Sequence, residues 1–335
     1  MNKKIFSLFT IFLALLLISA CSASESGSES TIEIRLSGQS PDDHPSTQAL
    51  YKFADTLKEK TDGRINVKVY PANQLGDYTT VYQEIGQGTI DMALVSLPGE
   101  LDNRLRLNFL PYLIEDYEDI ETAIGNDSYV FNHLQEVNNE QGVQFLGFHA
   151  NGFGGVGTTK EVTNLLDIGE NKDLLLRVPP DDVFKLPMDD IGFQTVTIPF
   201  ADLYTSLQTG AADGWAGGEA SLNYLGYRDV IKYFYQTHDF FNADAFIVNK
   251  KLFDNLNEED RKLIQELSDE MMAESIETAE KYDKEYTDKL EEEGITVVEF
   301  SDEEIQKLAD HVRENTWPRL KETLGEEAIE ELLKQ

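Results

Sequence analysis

Two stretches of the sequence decide how the fold is read. Residues 81–96 run VYQEIGQGTIDMALVS, and residues 203–219 run LYTSLQTGAADGWAGGE. Laid side by side, Tyr82 meets Tyr204, Ile85 meets Leu207, Gly88 meets Gly210 and Asp91 meets Asp213, all at one offset. In each copy a short helical pattern runs into a glycine, the residue that most readily takes the left-handed conformation ending a helix. A small, largely apolar run opened by an aspartate follows and reads as a buried strand. The chain thus writes one helix–glycine–strand unit twice. The copies part at the end, where the second continues into Trp215, Gly217, Gly218 and Glu219.

Outward from the first copy, TIEIRLSG (31–38) alternates Ile32, Ile34 and Leu36 on one face, and RINVKVY (64–70) alternates Ile65, Val67 and Val69. Between them, STQALYKFADTLKEKTDG (46–63) sets Leu50, Phe53 and Leu57 at helical spacing and stops at Gly63. Strand–helix–strand–helix–strand predicts a parallel sheet with right-handed crossovers. The pattern restarts after Gly142. VQFLGFHA (143–150), LLLRVP (174–179), QTVTIPF (194–200) and AADGWAG (211–217) read as strands, with the helix ADLYTSLQTG (201–210) before the last. NADAFIVNK (242–250) adds a later strand. The reading is two similar α/β units, or two lobes. From Asn257 to Glu293 the chain is charged and nearly free of breakers, with Asn257 and Asp260 as a capping pair and Gly294 as the stop. One continuous helix of about 55 Å would lie across both lobes. Ser301 and Glu304 have capping-box spacing.

The first residues, MNKKIFSLFTIFLALLLISAC, combine two lysines, an apolar run from Ile5 to Ile18 and small residues before Cys21. Residues 1–20 read as a secretory signal peptide. The ISAC sequence resembles a bacterial lipobox, so Cys21, the single cysteine, is expected to carry a lipid that tethers the chain without spanning the membrane. Residues 21–30 then form a flexible polar tether. With no second cysteine, no disulfide is available. The remaining length suits two cores. Against 28 basic residues stand 62 acidic ones, a formal net charge of -34. That charge argues against nucleic acid or anionic lipid as a partner. The five histidines form no H-E-x-x-H or other close ligand pair, and there is no G-x-S-x-G elbow, P-loop or dinucleotide fingerprint. Neither enzyme, cofactor nor metal site is expected. An extracytoplasmic hydrolase would need a water-accessible acid pair, which so acidic a composition supplies by chance.

Three segments resemble the solute receptors of tripartite ATP-independent periplasmic (TRAP) transporters, the dicarboxylate-receptor (DctP) family, here in lipoprotein form. They are HPSTQALYKFADTLKEKTDGRINVKVYPANQLGD (44–77), GTIDMALVS (88–96) and LLLRVPPDDVFKLPMDDIGFQTVTIPFADLYTSLQTGAADGWAGG (174–218). The match runs in order from about Thr31 to Phe253. It implies an α/β, two-lobed periplasmic-binding-protein-like fold, each lobe a mainly parallel sheet with flanking helices, spanned by long C-terminal helices. Lobe I is expected over 31–150 plus about 243–282, and lobe II over 151–242 plus about 283–335. The implied function is extracytoplasmic capture of a small carboxylate between the lobes by a monomer, and its delivery to the membrane subunits of a transporter. A sensor of the same fold feeding a receptor kinase fits these residues equally.

The family's central arginine, in an R-V-P motif, is Arg177 here. A guanidinium at the end of a buried strand matches a carboxylate in a bidentate fork and stays charged. The alternative is an ion pair with a nearby acid such as Asp181. Phe200, of IPF, is either a ligand-packing aromatic or core. Two departures stand out. The family's second arginine is missing from NGFGGVGTT (151–159), which implies one well-held carboxylate. The asparagine of the family's D-G-Q-E-N-P is replaced by Gly217. In its neighbourhood Trp215 either covers the ligand or packs the hinge, and Glu219 either accepts from a hydroxyl or amine or faces solvent. Strand-end geometry adds Gln39 and Ser40 from SGQS, and Ser96 from ALVS, as polar contacts.

Overall fold

The computed structural model describes residues 31–333. The expected signal peptide and Cys21 lie outside the described residues. The opening pattern folds as β1 (Ile32–Gly38), α1 (Pro45–Lys60), β2 (Ile65–Tyr70), α2 (Tyr78–Gln87) and β3 (Met92–Val95). After α3 (Tyr129–Glu140) come β4 (Val143–Phe153), β5 (Gly155–Thr158), β6 (Leu175–Val178), α4 (Asp182–Ile191), β7 (Gln194–Thr197), α5 (Leu203–Thr209) and β8 (Gly214–Gly218). The chain closes with β9 (Tyr233–Tyr235), β10 (Phe241–Asn249), α6 (Glu258–Glu292), β11 (Thr296–Val298) and α7 (Asp302–Asn315), among shorter turns of helix.

These strands make two sheets. The first has the order β2–β1–β3–β10–β4 and the second β11–β9–β5–β8–β6–β7. The parallel crossovers are present: β1 pairs in parallel with β2 and β3, and β6 with β7 and β8. Both sheets are nonetheless mixed, because β10 runs antiparallel to β3 and β4, and β5 antiparallel to β8 and β9. The strand from Val143, read from the sequence as the restart of the pattern, joins the first sheet through β10. Its eleven residues run to Phe153, and β5 opens at Gly155 in the second sheet, so the real restart comes about a strand later. The return passage from β9 to β10 touches this crossover, Gly154 donating its backbone N–H to Phe240 O at 2.8 Å.

The sequence repeat has a structural counterpart. Gly88 ends α2 at φ 81°, ψ 21°, and Gly210 ends α5 at φ 75°, ψ 21°, both left-handed. The two aspartates also do the same work. Asp91 Oδ2 accepts the backbone N–H of Arg35 in β1 at 2.8 Å, and Asp213 Oδ2 accepts that of Leu175 at the head of β6 at 3.2 Å. Each ties the strand it opens to the central parallel neighbour. Sequence alternation then becomes core. Ile34, Leu36, Phe53, Met92 and Phe246 pack with Ile264 and Leu267 from the first half of α6. Leu207, Trp215 and Phe234 pack with Tyr286 and Leu290 from its second half. Burying each such side chain stabilises by roughly 1.5–3 kcal/mol. α6 has 35 residues and is about 52 Å long. Asn257 caps it, accepting from Asp260 N at 2.8 Å, and the helix spans both sheets. The capping box of Ser301 and Glu304 starts α7.

Candidate functional site

The carboxyl ends of the parallel strands in the two sheets face one cavity. All seven side chains singled out from the sequence line it: Gln39 and Ser40 beyond β1, Ser96 beyond β3, Arg177 on β6, Phe200 beyond β7, Trp215 on β8 and Glu219 beyond it. The cavity is small, with a volume of about 50 Å³. Open α/β sheets place ligands at such strand ends.

Arg177 is 2% exposed. Its Nε donates to Ile198 O at 2.7 Å, while Nη2 is buried with no partner among the described residues. Burial lowers its pKa to about 10, against the opposing pull of Tyr78, Tyr227 and Asp77. The guanidinium therefore remains charged at neutral pH. Asp181, the acid that the sequence offered as its partner, pairs instead with Arg106 Nε. A buried donor left unpaired in a cavity is an anion-binding group, since the cost of its desolvation is recovered only when an acceptor arrives.

Arg106 corrects the expectation of a single arginine. It lies on a short 3-10 turn, Asn103–Phe109, and donates from Nη1 to Ser96 Oγ at 2.8 Å. Its guanidinium packs over Tyr78, Phe109 and Phe184. Asp181 is the N-cap of α4, so this buried pair joins the loop after β3 to the second sheet.

The acidic wall is equally structured. Glu219 is 3% exposed and does not face solvent. Its Oε1 lies 3.0 Å from His44 Nε2 and accepts from Ser221 Oγ at 3.0 Å. His44 caps α1, and its Nδ1 accepts the backbone N–H of Ser46, which leaves Nε2 as the donor. Asp244, on β10, accepts from Gln39 Nε2 at 2.8 Å and from Asn151 Nδ2 at 3.0 Å. Burial, and then the neighbouring Glu219, push the Asp244 carboxyl up to about 7. Trp215, read from the sequence as either a ligand cover or hinge packing, is buried. It packs in the core against Tyr227, with Nε1 donating to Asn223 Oδ1 at 3.1 Å, and it lines the cavity. Phe200 is half-buried at the rim, packed against the core as well as the cavity. Gly217 has φ +126°, a backbone conformation that a side chain strains to adopt.

The model of the family described as DctP, bacterial extracellular solute-binding protein family 7, matches residues 36–320. The chain belongs to this family. It is a binding protein and not an enzyme. Among curated relatives, the C4-dicarboxylate-binding periplasmic protein DctP of Vibrio cholerae is 25% identical over 87% of each chain. Among solved structures, the sugar acid binding protein of Advenella mimigardefordensis in complex with galactonate has a TM-score of 0.82 at 24% identity, covering 91% of this chain and 97% of that one. A TRAP periplasmic solute binding protein of Shewanella oneidensis with bound succinate has a TM-score of 0.80 at 22% identity, covering 91% and 99%. These likenesses fix the architecture as a two-lobed periplasmic-binding-protein fold.

Among the cavity residues that the sequence did not flag are Arg106, Asn151, Asn242 and Asp244, and Asn242 Nδ2 is buried there with no partner among the described residues. Asn242 and Asp244 left a trace, being polar at alternate positions of an otherwise apolar strand. Arg106 left none, because nothing in RLRLNF distinguishes a buried arginine from an exposed one.

Proposed function

We propose that this protein is an extracytoplasmic receptor that captures a small organic acid between its lobes and delivers it to the membrane subunits of a TRAP-type secondary transporter. The observation that carries the reading is the buried, unpaired Nη2 of Arg177 in a cavity walled by both sheets. The ligand enters while the lobes are apart, its carboxylate takes Arg177, and hinge closure forms the shape that the membrane subunits read. Phe200 and Trp215 pack on its apolar atoms, while Gln39, Ser40, Ser96 and Glu219 contact its polar ones. The galactonate and succinate of the solved relatives are acids of this size class. One lobe comprises 31–150 with about 243–282, and the other 151–242 with about 283–335. The shared sheet of β1–β4 with β10, and the split of α6 between two cores, support that division. Cys21, freed by removal of residues 1–20, carries a lipid that holds the receptor at the outer face of the cell membrane.

Calorimetric titration of a carboxylate panel into the wild type and Arg177→Ala tests the reading. Removing one partner of a buried charged hydrogen-bonded pair costs about 2–5 kcal/mol, so affinity for the best acid falls at least ~30-fold. Equal affinity in the two proteins would remove Arg177 from the site.

A further inference from the structure

We propose that Asp244 and Glu219 set the specificity of this cavity, admitting a monocarboxylate whose far end carries hydrogen-bond donors and rejecting a dicarboxylate. The inference rests on Arg177 holding the first carboxylate. The charges on the cavity wall then decide what the rest of the ligand can be. Two cations line it, Arg106 and Arg177, and Asp181 already neutralises Arg106. Opposing them are two buried acids, Glu219 and Asp244. Once Arg177 is occupied, a second carboxylate finds no unpaired cation among the described residues of the wall. It would instead lie in the same small cavity as Glu219 and, above about pH 7, an ionised Asp244, where like charges are poorly screened.

The partners of Asp244 show that its acceptor character is built in. Gln39 Oε1 accepts the backbone N–H of Ser96 at 2.9 Å, which turns the amide nitrogen of Gln39 toward Asp244. Asn151 Oδ1 meets His149 Nδ1 at 2.9 Å, which turns its nitrogen toward Asp244 in the same way. Both amides are held as donors, and neither supplies a positive charge. A carboxylate supported by two neutral donors still has acceptor capacity for a ligand O–H or N–H. Beyond β8 of the second sheet, Glu219 is supported in turn by Ser221 from its own side and by His44, the cap of α1, from the first. The shared chemistry demanded of the ligand is a donor-bearing end, supplied by hydroxyls as in a sugar acid or by an ammonium as in an amino acid.

The test titrates full-length protein, freed of copurified ligand, with three probe classes: D-gluconate and D-glucuronate, 4-aminobutyrate and L-alanine, and succinate and fumarate. At least one hydroxy or amino acid should bind 100-fold or more tighter than succinate, and which class it comes from identifies the donor. Asp244→Asn should cut that preference at least tenfold. Glu219→Gln provides a second, independent variant should Asp244→Asn unfold, as judged by thermal melting. Succinate binding as tightly as the best donor-bearing acid overturns the proposal, as does failure of all the donor-bearing acids to bind. An unchanged preference in both variants overturns it too. Failure of the underlying reading looks different, since Arg177→Ala would then leave binding of every probe unaltered.

Discussion

Arg106 and Asp181 form a contact whose two side chains are both buried, one on the turn after β3 and the other at the N-cap of α4 beside the second sheet. Breaking a buried ion pair from one side strands the other charge at a cost of about 3–5 kcal/mol. Asp181→Asn is the informative variant. It keeps the N-cap on Val183 N and removes only the charge. We expect a loss of at least ~3 kcal/mol in urea denaturation. A loss below ~1 kcal/mol would mean that Arg106 escapes to water when the lobes part. At this scale the sequence was partly readable. Gln39, Ser40 and Ser96 sit at strand ends, which periodicity locates, while Arg177 and Glu219 were marked by the resemblance to the family's motifs. Arg106 and Asp244 reach the cavity through tertiary packing of a 3-10 turn and a returning strand, which no local pattern encodes.

The duplicated helix–glycine–strand unit makes its own prediction. Gly88 and Gly210 share one conformation, and a Cβ has room at both, with Asn249 no nearer than 3.5 Å at Gly88 and nothing within 4 Å at Gly210. The cost of alanine is therefore the left-handed backbone alone, about 1–2 kcal/mol at each position. The two single variants should show matching shifts in chemical denaturation, and the double variant their sum, since distant sites add. A large inequality would show that the two units are not mechanically equivalent. Most elements could be read from alternation, helical spacing and caps, α6 almost to the residue. The three-residue strands β9 and β11 were invisible, because a single turn of alternation is indistinguishable from loop. The restart of the pattern was read one strand early, at β4, although the lobe bounds kept that strand in the first lobe, because a strand pattern carries no record of which sheet it joins.

For the whole molecule, buried titrating groups shape the response to pH. Burial raises Asp244 to about 7, and Asp239 and Asp283 to about 6. Folded protein therefore holds protons that the unfolded chain has released above ~4, and these three groups cost stability progressively as pH rises to about 7. His149 and His238 act oppositely. Burial lowers both to about 4, so their contribution is lost as pH falls from ~6.5 toward 4. Between pH 6.5 and 8.5 the histidines offset much of the carboxyl effect, so the readout is the comparison of ligand-free wild type with Asp244→Asn by scanning fluorimetry: from pH 8.5 to 6.5 the wild type should gain melting temperature relative to the variant. An identical pH response in the two proteins would contradict the assignment of Asp244 as a buried carboxyl with a raised pKa.

The same architecture, two sheets joined by crossing strands and spanned by α6, places every chosen side chain around one cavity. We propose that Arg177 Nη2 lacks a partner among the described residues because a ligand carboxylate is that partner. A crystal structure of the complex with the tightest-binding acid tests this most directly. A carboxylate oxygen is expected about 2.7–2.9 Å from Arg177 Nη2. An acid bound elsewhere, with Nη2 still unpaired, would contradict it.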